Sequence, residues 1–81
     1  MLAHILDIKV LDDYEIKFEF NDGVCKIIDF KPFIKNDSLT KPLADMDYFE
    51  KVKLYDRGRG IYWDNGYDFC PDYLRELETV E

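Results

Sequence analysis

Histidine, cysteine, serine and paired carboxylates do most of the chemistry that proteins carry out unaided, and this 81-residue chain is sparing with the first three. It holds one histidine, His4, two cysteines, Cys25 and Cys70, and one serine, Ser38. A zinc centre needs three or four such ligands, usually with two of them a few residues apart, and no such set is present. Ser38 lacks the Gly-x-Ser-x-Gly elbow that exposes a nucleophile, and nothing pairs His4 with either cysteine as its base. Neither common glycine-rich phosphate cradle occurs. The run DNGYD at residues 64–68 lacks the alternating ligands and closing bidentate glutamate of a calcium loop. Asp64, Asp68 and Asp72 recur every four residues, a spacing that on a helix would make one acidic face. Asn65-Gly66 and Pro71 break any such helix, so the spacing carries no paired-carboxylate site. The expectation is a protein with no catalytic residue, no metal and no cofactor.

The densest cluster of potential contacts is IYWDNGYDFCP, residues 61–71, and its placement depends on the elements around it. Residues 4–11 alternate with Leu6, Ile8 and Val10 on one face. Residues 14–20 alternate without fault, Tyr14, Ile16, Phe18 and Phe20 inward and Glu15, Lys17 and Glu19 outward. Asp12-Asp13 and Asn21-Asp22-Gly23 make the turns, and residues 24–30 return as a third strand. Pro32 and the polar run after it predict a loop over residues 31–44, anchored by Phe33, Ile34, Leu39 and Leu43. Asp45 is placed to cap a short helix over residues 46–52. Residues 52–56 and 60–64 read as two further strands.

Asn65-Gly66 predicts a two-residue type I′ hairpin, with Trp63 opposite Asp68, Tyr62 opposite Phe69 and Ile61 opposite Cys70. In that register Asp68 accepts the indole N–H or caps the helix that Pro71 begins, a structural role. The closing helix is expected over residues 71–78, with Tyr73, Leu74 and Leu77 as its apolar stripe. The fold class is thus α+β: an antiparallel β-meander of about five strands, a short middle helix and a C-terminal helix, forming a single domain over residues 1–81. Trp63, Asn65, Gly66, Asp68 and Pro71 are its structural motif, and the outward-facing partner residues are Tyr62, Asp64 and Tyr67, with Asp72 and Glu76 on the helix. His4 is expected to be a partly buried or edge histidine, and both cysteines to be buried and unreactive.

Apolar residues make up 47% of the chain and aromatic residues 16%, enough for a packed core despite its length. Eleven basic against eighteen acidic side chains leave a net charge of −7, which argues against direct nucleic-acid binding. The charge is uneven. Six lysines lie between Lys26 and Lys53, whereas residues 61–81 carry six acids (Asp64, Asp68, Asp72, Glu76, Glu78 and Glu81) against Arg75 alone. No secretory signal and no membrane-length apolar run is present, so a cytoplasmic protein with reduced thiols is expected.

From Asp22-Gly23 to Leu74 the chain resembles a bacterial family known as domain of unknown function 2442. The matching residues, in order, are Asp22-Gly23, Asp29-Phe30, Pro42-Leu43, Asp45, Phe49, Trp63, Asn65-Gly66, Asp68-Phe69, Pro71 and Leu74. Asp64 stands where the family usually has proline, and Lys35–Lys41 replaces glycines often found before Pro-Leu. The resemblance implies a small α+β domain without established activity, similar to companion proteins of toxin–antitoxin-type pairs. The reading that follows is a non-enzymatic protein–protein interaction module whose partner is another protein, a basic one, met by the acidic C-terminal segment. Its alternative is a small-molecule-binding or enzymatic domain with a pocket between sheet and C-terminal helix. Homodimerisation through a strand edge is a third arrangement; no membrane is involved.

Overall fold

A computed structural model of the protein describes residues 3–80. The chain builds two three-stranded antiparallel sheets rather than one meander. The first contains β1 (Ile5–Val10), β2 (Glu15–Phe20) and β3 (Cys25–Asp29), in that order. The second contains β4 (Lys53–Leu54), β5 (Ile61–Tyr62) and β6 (Asp68–Phe69), also in chain order. Between the sheets run 3₁₀ turns at Lys31–Phe33 and Lys41–Ala44 and the helix α1 (Met46–Phe49). A third 3₁₀ turn, Asp56–Gly58, joins β4 to β5, and α2 (Pro71–Glu76) closes the fold. Among the described residues no helix is long and apolar enough to cross a membrane.

Local rules explain most of the elements. Alternation in β2 holds throughout, with Ile16, Phe18 and Phe20 fully buried and Lys17 and Glu19 exposed. The Asp45 carboxylate accepts the Asp47 N–H at 3.1 Å and caps α1 as expected. The helix stops at Phe49, short of the expected Val52. Pro71 opens α2, where its missing N–H costs no hydrogen bond. That helix ends at Glu76 rather than Glu78, where Leu77 turns to extended backbone and the Lys26 ammonium takes the Arg75 and Leu77 carbonyls. Beyond it the chain is extended, and the Val80 N–H reaches the Ile27 carbonyl of β3 at 2.8 Å. Glu81 lies outside the described residues.

Four expectations change. A β-bulge between Ile5 and Asp7 shifts the β1 register, so Ile5 is buried and Leu6, expected inward, is 59% exposed. In residues 31–44 Leu43 is fully buried, but Leu39 is 41% exposed. The buried place near it goes to Thr40, whose hydroxyl is satisfied by Asp37 Oδ1 at 2.9 Å and by the Lys35 backbone. Cys25 and Cys70 are both exposed, not buried. Cys25 falls on the solvent face of the first sheet, and Cys70 lies at the cap of α2.

The fourth change is the hairpin register. The Gly66 N–H donates to the Trp63 carbonyl at 3.0 Å, and the Trp63 N–H to the Tyr67 carbonyl at 2.9 Å. Only Gly66 of the three intervening residues has positive φ, at 93°. This is the three-residue loop with a glycine bulge, not the two-residue turn. The pairing becomes Ile61 with Phe69 and Tyr62 with Asp68. A slip of one residue exchanges the two faces of a strand. Ile61, Trp63 and Phe69 therefore share the buried side, and Asp68 turns outward.

The core lies between the two sheets and is mainly aromatic. Phe30, just beyond β3, is its centre, with ring centroids 5.2 Å from Phe69, 5.7 Å from Phe33, 6.0 Å from Phe49, 6.1 Å from Phe18 and 6.3 Å from Trp63. The Trp63 indole N–H donates to the Phe49 carbonyl at 3.1 Å, tying the hairpin to α1. Asp68 has neither of the roles expected for it, since no side chain caps α2 and the indole is satisfied elsewhere.

Candidate functional site

The corrected register builds a continuous surface on the outer face of the second sheet. Lys53 pairs with Tyr62, and Tyr62 with Asp68, across adjacent strands. Tyr55 follows Lys53 by two residues and Asp64 follows Tyr62 by two, which puts both on the same side. The Tyr55 and Tyr62 rings stack with centroids 4.3 Å apart and planes 27° apart. The Tyr55 hydroxyl donates to Asp68 Oδ2 at 3.1 Å, and Lys53 Nζ meets Asp64 Oδ1 at 2.8 Å. Desolvation, then the hydrogen bond to Asp68, push the Tyr55 phenol above its ordinary pKa. Bonding to Asp64 raises the Lys53 ammonium. The face therefore carries a stacked aromatic pair flanked by the Lys53–Asp64 ion pair and by the Asp68 side chain.

Of the residues expected to meet a partner, Tyr62 and Asp64 belong to this face. Tyr67 does not. It is half-buried, 5.1 Å from the Phe69 ring and 5.9 Å from that of Trp63, and burial raises its phenol pKa. Asp72, on the first turn of α2, accepts the Ala3 N–H at 2.8 Å and so ties Ala3 to the helix. Glu76 is exposed on α2. The expected set is thus split between a sheet face, the core margin and a helix. Sequence reasoning missed Lys53 and Tyr55 and misassigned Asp68. Their signal was present in the parity of residues 53 and 55, but only the hairpin register shows which face they join.

The chain matches the family described as protein of unknown function (DUF2442) over residues 5–79. It belongs to that family. The structure gives a physical basis to the DUF2442 resemblance at residues 63–71. Trp63 bonds α1, and Gly66 supplies the bulge. Asn65 accepts the Tyr67 N–H at 3.1 Å and donates to the Leu39 carbonyl at 2.9 Å. Asn65 thereby ties the hairpin tip to the polar loop. Asp64 is the acid paired with Lys53. No match was found among curated proteins or among solved structures.

Proposed function

We propose that this domain is a non-catalytic protein-interaction module that docks its partner on the outer face of the second sheet. The observation that carries this reading is the pre-stacked Tyr55–Tyr62 pair, Tyr55 exposed and Tyr62 half-buried, held at its margins by Asp68 and by the Lys53–Asp64 ion pair. Tyrosine is a favoured interface residue because it offers a large, stiff contact area with one polar atom. Here stacking and hydrogen bonding fix Tyr55 before any partner arrives, which lowers the ordering cost of association. The acids of residues 61–80 contribute differently from one another. Asp64 and Asp72 have internal partners, whereas Glu76 and Glu78 face solvent. The net charge of −7 steers a basic partner towards the domain, in the manner of a companion in a toxin–antitoxin-type pair, while the tyrosine face makes the contact.

The test uses the full chain to capture a partner from native extract at low salt, followed by rebinding of the identified partner in purified form. Tyr62→Ser should weaken that binding at least about tenfold, as expected for a central interface aromatic, while the variant still unfolds in one cooperative transition. Equal binding by the parent chain and by a Tyr55→Ser, Tyr62→Ser double variant would remove this face from the interaction.

A further inference from the structure

The tyrosine face ends at the loop Tyr55-Asp-Arg-Gly-Arg-Gly60, which borders a groove of about 520 Å³. Leu54, Tyr55, Asp56, Arg57, Arg59 and Tyr62 line it. The loop is held rigidly from below. Gly58 lies so close to β1 that an added Cβ would stand 2.0 Å from the Ile5 carbonyl oxygen, and one at Gly60 would stand 2.3 Å from that of Phe69. The Arg57 carbonyl is within 3.0 Å of His4 Nδ1, and the Gly60 carbonyl accepts the Tyr55 N–H at 2.9 Å. With both glycines pressed inward, Arg57 and Arg59 are exposed. Arg57 sits at φ 63° and ψ 23°, a left-handed conformation that a non-glycine residue rarely adopts.

Neither guanidinium has a hydrogen-bond or ion-pair partner among the described residues, in contrast to Arg75, which grips Asp22 with two nitrogens. Two unpaired guanidinium groups on a fixed loop backbone, beside a stacked tyrosine pair, form a receptor for carboxylates next to a flat apolar side chain. We propose that this groove binds an acidic segment of the partner protein, with carboxylates on Arg57 and Arg59 and an aromatic or aliphatic side chain on the Tyr55–Tyr62 stack. The assignment rests on the interaction reading above and names the chemistry of the contact.

Two observations favour a short acidic segment over other anions. Asp56 lines the groove with the arginines and Asp68 bonds Tyr55 at its margin, so a polyphosphate strand leaving the groove would meet like charge. The groove is an open trough whose lining side chains are exposed except for the half-buried Leu54 and Tyr62, and a small molecule there would keep much of its surface in water, unlike an ordinary ligand pocket. A partner that is basic overall yet carries one acidic segment satisfies both the long-range and the local field.

The test is an amide NMR titration of the full chain with the capped peptide Glu-Phe-Glu-Glu, its Gln-Phe-Gln-Gln counterpart, inorganic phosphate and oligothymidylate. The acidic peptide should give saturable shifts confined to residues 54–62 and bind at least about threefold more tightly than the amide peptide, exposed ion pairs being worth a few-fold each. The double variant Arg57→Asn, Arg59→Gln should lose at least about threefold in affinity with unchanged thermal unfolding, since asparagine tolerates the left-handed region. Equal binding of the two peptides, shifts elsewhere, or an unaffected double variant would overturn the proposal. Tighter binding of phosphate or oligothymidylate would reassign the groove to those anions. A purified partner that tolerates the arginine changes but not Tyr62→Ser would leave the interaction face standing and discard the groove.

Discussion

Replacing Trp63 and Asp68 singly and together tests the hairpin register directly. In the two-residue turn Asp68 opposes Trp63 and can bond its indole; in the structure the indole bonds the Phe49 carbonyl, and Asp68 is on the other face. Trp63→Phe removes one buried hydrogen bond, worth about 1 kcal/mol. The Phe49 carbonyl keeps the Val52 N–H at 3.3 Å, so the full cost of an orphaned acceptor does not apply. Loss of the second ring leaves a void of roughly 35–40 Å³, which at about 24 cal/mol per Å³ adds about 0.9 kcal/mol, with a similar transfer term. The expected total is about 2–3 kcal/mol, a large part of the roughly 4–12 kcal/mol available to a chain of this size. Urea unfolding followed by circular dichroism measures it without the lost tryptophan signal. Asp68→Ala should alter stability far less, and the double variant should equal the sum within about 0.5 kcal/mol, because the two groups share no contact. A coupling energy above about 1 kcal/mol would refute the register and restore the direct Trp63–Asp68 bond.

Three further outcomes follow from particular contacts. Gly58→Ala forces a Cβ into the Ile5 backbone at positive φ, so the edge of β1 must move; the variant should lose at least about 2 kcal/mol and show faster amide exchange along β1. Arg75 holds the Asp22 carboxyl below the ordinary aspartate range, and the Thr40 N–H and hydroxyl do the same for Asp37. A depressed carboxylate stabilises the fold above its unfolded pKa, and that contribution disappears as pH falls through the folded value. The acid-side loss of stability below about pH 4 should therefore be shallower in Asp22→Asn than in the parent, and a steeper loss would contradict the ion pair. Finally, both Cys25 and Cys70 should react with a thiol reagent in the native state; two protected thiols would mean that the surfaces around them are covered.

The parts of the fold legible in the sequence are those set by neighbours along the chain. Faultless alternation in residues 14–20 specifies β2 because side chains of a strand alternate between faces whatever it packs against. Asp45 and Pro71 begin their helices through the backbone amides of the next turn. DUF2442 membership was legible too, since Trp63, Asn65-Gly66 and Pro71 form a compact run. Asn65-Gly66 signalled a hairpin correctly, yet the dipeptide suits both a two-residue turn and a three-residue loop with a glycine bulge.

What separates the two loops is tertiary: only the longer one buries Ile61, Trp63 and Phe69 together and lets the indole reach Phe49. The same reason holds at Leu6, where a bulge, stabilised by Gly58 packed on Ile5, reverses a parity that the sequence pattern states plainly. The outer face follows from these choices. Lys53, Tyr55, Tyr62, Asp64 and Asp68 come from three strands and the residues just beyond them, and no spacing along the chain indicates which of them meet. Sequence alone determined where the chain turns and which segments are strands or helices. Packing decided the register, and a one-residue register change moves every side chain of a strand to its opposite face.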